Sequence, residues 1–160
     1  MTQKVVLADD HRIFRDGLRP LISSHPALEV VGEAKNGLEA LEICHELEPD
    51  LAVLDISMPG LNGIELTRRL QREKPSIRVI ILSMHSDRRY VLEALKAGAR
   101  GYVLKDAGFD ELVQGCLEVC KGGVFLSQVV SEQVIRDYVA VADGQENSAF
   151  SVLSGREREV

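Results

Sequence analysis

Short runs of aliphatic residues recur along the chain at near-regular intervals: Val5 to Ala8, Leu28 to Val31, Leu51 to Leu54, Val79 to Leu82 and Gly101 to Leu104. Each has the length of a β-strand. Four of them are nearly unbroken Val, Ile and Leu rather than alternating with polar residues, which is the pattern of strands buried on both faces. Between the runs, apolar residues fall at helical spacing. Phe14, Leu18 and Leu21 form one stripe, Ala40, Leu41, Cys44 and Leu47 a second, Val91, Ala94 and Leu95 a third. Phe109, Leu112, Val113, Cys116, Leu117 and Cys120 form a fourth, and Gly63–Glu73 carries a less regular one. Asn36-Gly37, Glu48-Pro49-Asp50, Pro59-Gly60, Lys74-Pro75-Ser76 and Gly98 supply the turns and helix stops between them.

Five successive β–α units with right-handed crossovers predict an α/β fold, a flavodoxin-like doubly wound five-stranded parallel sheet of order 2-1-3-4-5 with helices on both faces. Pro20 falls inside the first helix, where it is expected to kink it. Gly122-Gly123 ends the array, so residues 1–122 read as one domain and 123–150 as a linker. Within that linker Val130, Val134, Tyr138 and Val141 predict a helix over about 127–142, and polar Asp143 to Ala149 predict a hinge. Ser154 and Glu157 have capping-box spacing, so 151–160 read as the opening of a further helix.

Composition narrows the function classes. The 160 residues are 45% hydrophobic and 28% charged, enough to bury a core and too apolar for wholesale disorder. A net charge of −6 opposes binding to a nucleic-acid backbone unless the basic groups cluster, and they do not. No apolar run approaches the roughly 20 residues that cross a bilayer, and the N-terminus lacks a signal h-region, so a cytoplasmic location without membrane contact is expected. Cys44, Cys116 and Cys120 have no CxxC spacing, which predicts reduced core thiols rather than disulfides or a zinc site.

Ligand sites of open α/β sheets lie beyond the carboxyl ends of the strands, so the residues that close each strand form one candidate constellation. The first strand ends in Asp9-Asp10, the third in Asp55, the fourth in Ser83 and the fifth in Lys105. The second ends in Ala34 and adds nothing ionisable. Three carboxylates at one rim repel one another unless a hard cation and an ammonium share the space, which predicts a Mg2+ site beside Lys105. A phosphoryl group suits that site, with the metal and Lys105 taking its charge and the Ser83 hydroxyl donating to an oxygen. Each residue taken singly has a plainer reading: Asp9-Asp10 as capping acids, Lys105 as a solvated lysine, Tyr102 as a sheet aromatic.

Asp9-Asp10-His11, the turn Leu54-Asp55-Ile56-Ser57-Met58-Pro59-Gly60, Leu82-Ser83 and Gly101-Tyr102-Val103-Leu104-Lys105-Asp106 together resemble the response-regulator receiver domain of two-component signalling, from about Lys4 to Lys121. Leu153 to Val160 resembles the opening of a LuxR-type helix-turn-helix, as in regulators of the NarL/FixJ type, truncated at the start of its DNA-binding domain. The resemblance implies Asp55 as phosphoacceptor, with Asp9, Asp10, Asp55 and the backbone carbonyl of Ser57 as metal ligands, for Mg2+ or alternatively Mn2+. It also implies that Ser83 and Lys105 bind the phosphoryl group and that Ser83 and Tyr102 form a switch. Met84 stands after Ser83 where many receivers carry a smaller residue, and with His85 it is expected to modulate access; His11 does so at most.

The function expected is a phosphorylation-dependent switch that takes a phosphoryl group from a sensor histidine kinase and controls a transcriptional output, with a homodimer as a further expected partner. Contact with DNA is expected only through the missing C-terminal domain. The alternative is a Mg2+-dependent aspartyl-phosphate phosphohydrolase, which needs a second acid two residues after its nucleophile; here that residue is Ser57. A nucleotide-binding fold lacks its GxGxxG or GxxxxGK[ST] loop.

Overall fold

The computed structural model describes residues 2–144. The chain alternates strand and helix: β1 (Gln3–Ala8), α1 (Arg12–Ser23), β2 (Leu28–Ala34), α2 (Gly37–Leu47), β3 (Leu51–Asp55) and α3 (Gly63–Glu73). It continues through β4 (Arg78–Ser83), α4 (Arg88–Ala97), β5 (Gly101–Leu104), α5 (Phe109–Cys120), β6 (Phe125–Leu126) and α6 (Gln128–Gly144). All strand pairs are parallel, in the order β2-β1-β3-β4-β5-β6. The predicted 2-1-3-4-5 core is therefore present, with one added strand.

Strand alternation divides the core. Val5, Leu7, Leu51, Val53, Ile80, Leu82 and Val103 pack with Leu18 and Ile22 of α1 and with Leu112, Cys116 and Val119 of α5. The intervening strand residues, among them Val6, Ala52, Leu54, Ile81 and Tyr102, are also buried, on the side covered by α2, α3 and α4. Burial on both faces explains why these strands read as unbroken aliphatic runs. Helix ends follow local chemistry: the Asn36 carboxamide accepts from the Glu39 amide at 2.8 Å, and Asn62 with Glu65 closes a capping box on α3. Gly98 closes α4 at φ 112°, a left-handed position that suits glycine.

Several expectations are corrected. The parallel array does not end at Gly122-Gly123, because Phe125 and Leu126 pair with Gly101 and Tyr102; two half-buried residues are too few to carry a strand period. Helix α1 runs unbroken through Pro20 to Ser23. The proline sits exposed in the last turn, where only a short piece of helix follows it, and the Ser24 hydroxyl donates to the Leu21 carbonyl at 2.7 Å. Leu21, Leu47 and Phe109 are exposed at the edges of their stripes, and Ile22 takes the core position expected of Leu21. The C-terminal helix covers Gln128–Gly144, so Asp143 is helical rather than part of a hinge. The rest of the expected hinge and the whole of 151–160 lie outside the described residues. Cys44 and Cys116 are buried free thiols, pushed up to about 12 by burial, which fits a core role. No helix among the described residues is long and apolar enough to cross a membrane.

Two glycines give opposite expectations. A Cβ on Gly63 would lie 2.4 Å from the carbonyl oxygen of Asp55, whereas one on Gly17 would meet nothing within 4 Å. Gly63→Ala should lower stability by about 1–3 kcal/mol by forcing α3 away from the end of β3. Gly17→Ala should raise it by about 0.5–1 kcal/mol, since Gly17 lies inside a helix. Urea unfolding of the two variants tests both signs.

Candidate functional site

The register of the sheet assembles the site. Ala8 is level with Leu54, Asp55 with Leu82, and Ser83 with Leu104. Asp9, Asp55, Ser83 and Lys105 therefore leave the carboxyl edge together. Asp55 shares the parity of Val53 and emerges on the side of α1 and α5; Ser83 and Tyr102 have the opposite parity and lie toward α4.

Lys105 joins the acids. Its Nζ lies 2.8 Å from Asp9 Oδ2 and 3.2 Å from Asp55 Oδ2, with all three side chains at least nine-tenths buried. The other oxygen of each acid is held by backbone: His11 N–H donates to Asp9 Oδ1 at 2.8 Å, and Ser57 N–H to Asp55 Oδ1 at 3.3 Å. Asp10 is more exposed and meets His11 Nδ1 at 3.2 Å, and the same nitrogen lies 3.1 Å from Asp9 Oδ1. The Phe14 ring lies beneath the ammonium, 4.7 Å from centroid to Nζ, and restricts it to the side of the carboxylates.

Charge is unevenly balanced here. Burial first, and the Asp9 carboxylate second, push Asp55 up to about 6 from its ordinary 3.8, against the pull of Lys105 and the Ser57 amide. Burial works against the Lys105 charge too, but the two carboxylates outweigh it and hold the ammonium above the usual lysine range. Asp9 Oδ2 and Asp55 Oδ2 both turn to the ammonium, which is their one close charged partner in the buried part of the site. Ligand atoms of Asp9, Asp10, His11 and Asp55 all lie within 4.8 Å of one another. Three carboxylates against one ammonium leave two negative charges, and a divalent cation matches both the charge and the oxygen-rich donor set.

On the α4 side, Ser83 is fully buried and its Oγ accepts from His85 N–H at 2.9 Å. Tyr102 is also fully buried, its hydroxyl donating to the His85 carbonyl at 2.7 Å. Burial raises the phenol pKa, partly offset by contact with Ser83. One short loop thus binds both residues of the expected switch, and the tyrosine already points inward. Met84 is 65% exposed, and the His85 ring stacks on Tyr90 with centroids 4.7 Å apart. The structure brings Asp9, Asp10, Asp55 and Lys105 into one cluster and Ser83 and Tyr102 into a second beside the same edge. The helical stripe alone does not distinguish Phe14; its one signal is a place four residues after Asp10, in the first turn of α1.

Comparison with known proteins bears on this geometry. A family profile described as the response regulator receiver domain matches residues 5–116. The transcriptional regulatory protein DegU of Brevibacillus brevis is 37% identical over 149 residues, covering 93% of this chain and 63% of DegU. The response regulator GacA of Pseudomonas aeruginosa is 34% identical over 157 residues, covering 98% of this chain and 72% of GacA. The chain thus spans under two thirds of the first of these relatives. Among solved structures, a LuxR-family two-component response regulator from Aurantimonas sp. SI85-9A1 superposes with a TM-score of 0.84 at 36% identity, covering 87% of this chain and 99% of the other.

The raised Asp55 pKa has a sign that can be measured. Protonation favours the folded state, so without a cation the Asp55 charge costs nothing well below 3.8, and the cost is complete once pH has risen through about 6. Asp55→Asn should therefore be more stable than the parent by about 2–3 kcal/mol near pH 8, and by almost nothing near pH 4. Added Mg2+ should narrow the gap by binding the folded parent. Paired urea melts at the two pH values check this; an equal gap at both would place the strain elsewhere.

Proposed function

Since the chain belongs to the response-regulator receiver-domain family, we propose that it is the phosphoacceptor switch of a two-component regulator, taking a phosphoryl group on Asp55 from a sensor histidine kinase and passing the change to a transcriptional output. The observation that carries this reading is the pairing of Lys105 with both Asp9 and Asp55 at adjoining strand ends. It leaves a buried carboxylate facing a cation site and an ammonium.

In this reading an Asp55 carboxylate oxygen attacks phosphorus in line, the P–N bond of the kinase phosphohistidine breaks, and the imidazole leaves with its electron pair. Asp9, Asp10, Asp55 and the Ser57 carbonyl would hold Mg2+ or Mn2+, which when bound neutralises oxygen charge on the transferring group. Lys105 pairs with a phosphoryl oxygen, and the Ser83 hydroxyl exchanges its local bond with the His85 amide for one to the phosphoryl group. Movement of Ser83 and its loop alters the carbonyl that Tyr102 holds, so the aromatic ring reports the state of Asp55. Met84 and His85 stand at the rim, where they limit the size of the donor.

The hydrolase alternative draws no support. Ser57 stands two residues after Asp55, its amide is already turned to that carboxylate, and no second acid is supplied at that step. The acyl phosphate should hydrolyse slowly. DegU and GacA carry names of transcriptional and response regulators, and control of transcription through a DNA-binding domain, together with self-association, is proposed here by that likeness.

Incubation with acetyl phosphate and Mg2+ should add the mass of one phosphoryl group, and Asp55→Asn should abolish the gain. A full adduct persisting on the variant would overturn the assignment. Hydrogen exchange across residues 84–105 should change when the parent is phosphorylated; an unchanged pattern would exclude the Ser83–Tyr102 route.

A further inference from the structure

The last residues of β5 are gripped on both edges. On one, Lys105 N–H donates to the Ser83 carbonyl of β4 at 2.9 Å. On the other the ladder to β6 changes character. Ser127 N–H donates to the Tyr102 carbonyl at 2.9 Å as a normal extension, but Leu104 N–H, two residues on, is met by a side chain, Ser127 Oγ, at 2.9 Å. The backbone has turned away by then, because α6 opens at Gln128. The Ser127 hydroxyl in turn donates to the Glu111 carboxylate of α5. Ser127 is fully buried and uses its amide, its lone pair and its proton, all within the unit that ends at this residue. Removal of the hydroxyl leaves the buried Leu104 amide without its acceptor and takes one donor from the Glu111 carboxylate.

We propose that Ser127 and Glu111 are positioning residues of the phosphoryl site: by clamping Leu104 they fix the strand end from which Lys105 reaches Asp9 and Asp55. The proposal rests on the phosphoacceptor reading above. Lys105 is one residue beyond the clamped amide, and its two carboxylate contacts span only 2.8 and 3.2 Å. A strand end held on the β4 edge alone lets the lysine backbone pivot, and preorganisation of a charged donor is what such a site depends on. The clamp also has a second end. Ser127 immediately precedes the first residue of α6, so the same hydroxyl that steadies Lys105 sits at the root of the C-terminal helix. By reciprocity, whatever tightens Lys105 on a phosphoryl group must tighten the Ser127 clamp by an equal free energy. Both residues of β6 and Ser127 fall outside the stretch matched by the receiver profile.

The test uses the full chain with Mg2+ and beryllofluoride as the phosphoryl mimic, read by amide NMR or hydrogen exchange. Ser127→Ala should weaken beryllofluoride binding about three- to tenfold, the scale of one lost hydrogen bond near a charge, and should remove exchange protection at the Leu104 amide. Ser127→Thr, which keeps the hydroxyl, should restore both. Leu70→Ala, a core truncation in α3, should lower the melting temperature without moving the affinity, which separates positioning from general stability. Should Ser127→Ala fail to fold, Glu111→Ala carries the same expectation. Parent-like affinity in the Ser127 or Glu111 variant overturns the proposal, whereas a parent that binds no beryllofluoride overturns the phosphoacceptor reading instead.

Discussion

Three carboxylates share one end of a parallel sheet, and a single ammonium pairs with the two buried ones. Lys105 spans Asp9 and Asp55 within 3.2 Å, yet leaves a surplus of negative charge. Folding imposes this arrangement, because Asp55 ends β3 whereas Asp9 and Asp10 follow β1, and they meet only when β1 pairs with β3. The upward shift of Asp55 is the local record of that cost. The Ser57 amide relieves part of it, and Phe14 lies against the ammonium that relieves more.

The sheet order converts strand ends into chemistry. With β1 beside β3 and β3 beside β4, the acids, the serine and the lysine are brought together by register alone, and no loop has to reach across the molecule. Alternation then sorts them. Asp55 is directed toward α1 and α5, where Phe14 lies, and Ser83 with Tyr102 toward α4, where the His85 loop is. A cluster of charges and a hydrogen-bonded serine and tyrosine thus share one edge, on opposite faces of the sheet.

Much of this was legible in the chain. Unbroken aliphatic runs marked strands covered on both faces, and the residues closing four of the five runs are those at the site, Ala34 at the end of β2 being the exception. What escaped had a physical reason in each case. β6 has two residues, below the length at which alternation can be seen. Leu21 and Ile22 are adjacent and equally apolar, so a one-position rotation of α1 left no trace in the pattern. Pro20 breaks a rule that applies to helix interiors, but it sits in the last turn. Phe14 and Ser127 owe their roles to contacts across the fold, and nothing local distinguishes a phenylalanine beneath a lysine from one in any amphipathic helix. The roles of Asp55 as phosphoacceptor and of Tyr102 as switch came from the resemblance, whereas the strand ends alone had already set Ser83 and Lys105 beside a phosphoryl group.

The two-residue strand β6 has a consequence at the boundary of the sheet. A parallel sheet exposes unpaired amides and carbonyls along its outer strands, and long flat edges recruit other chains into aggregates. Here one border is only Phe125 and Leu126 before the chain turns into a helix. The opposite border, β2, carries Glu29 in solvent and Glu33 engaged by Arg15 and Arg19 of α1. The two borders are thus blunted in different ways, one by its shortness and the other by charge. Edge-to-edge pairing of two such sheets would therefore meet a very short strand on one side and paired or solvated charge on the other.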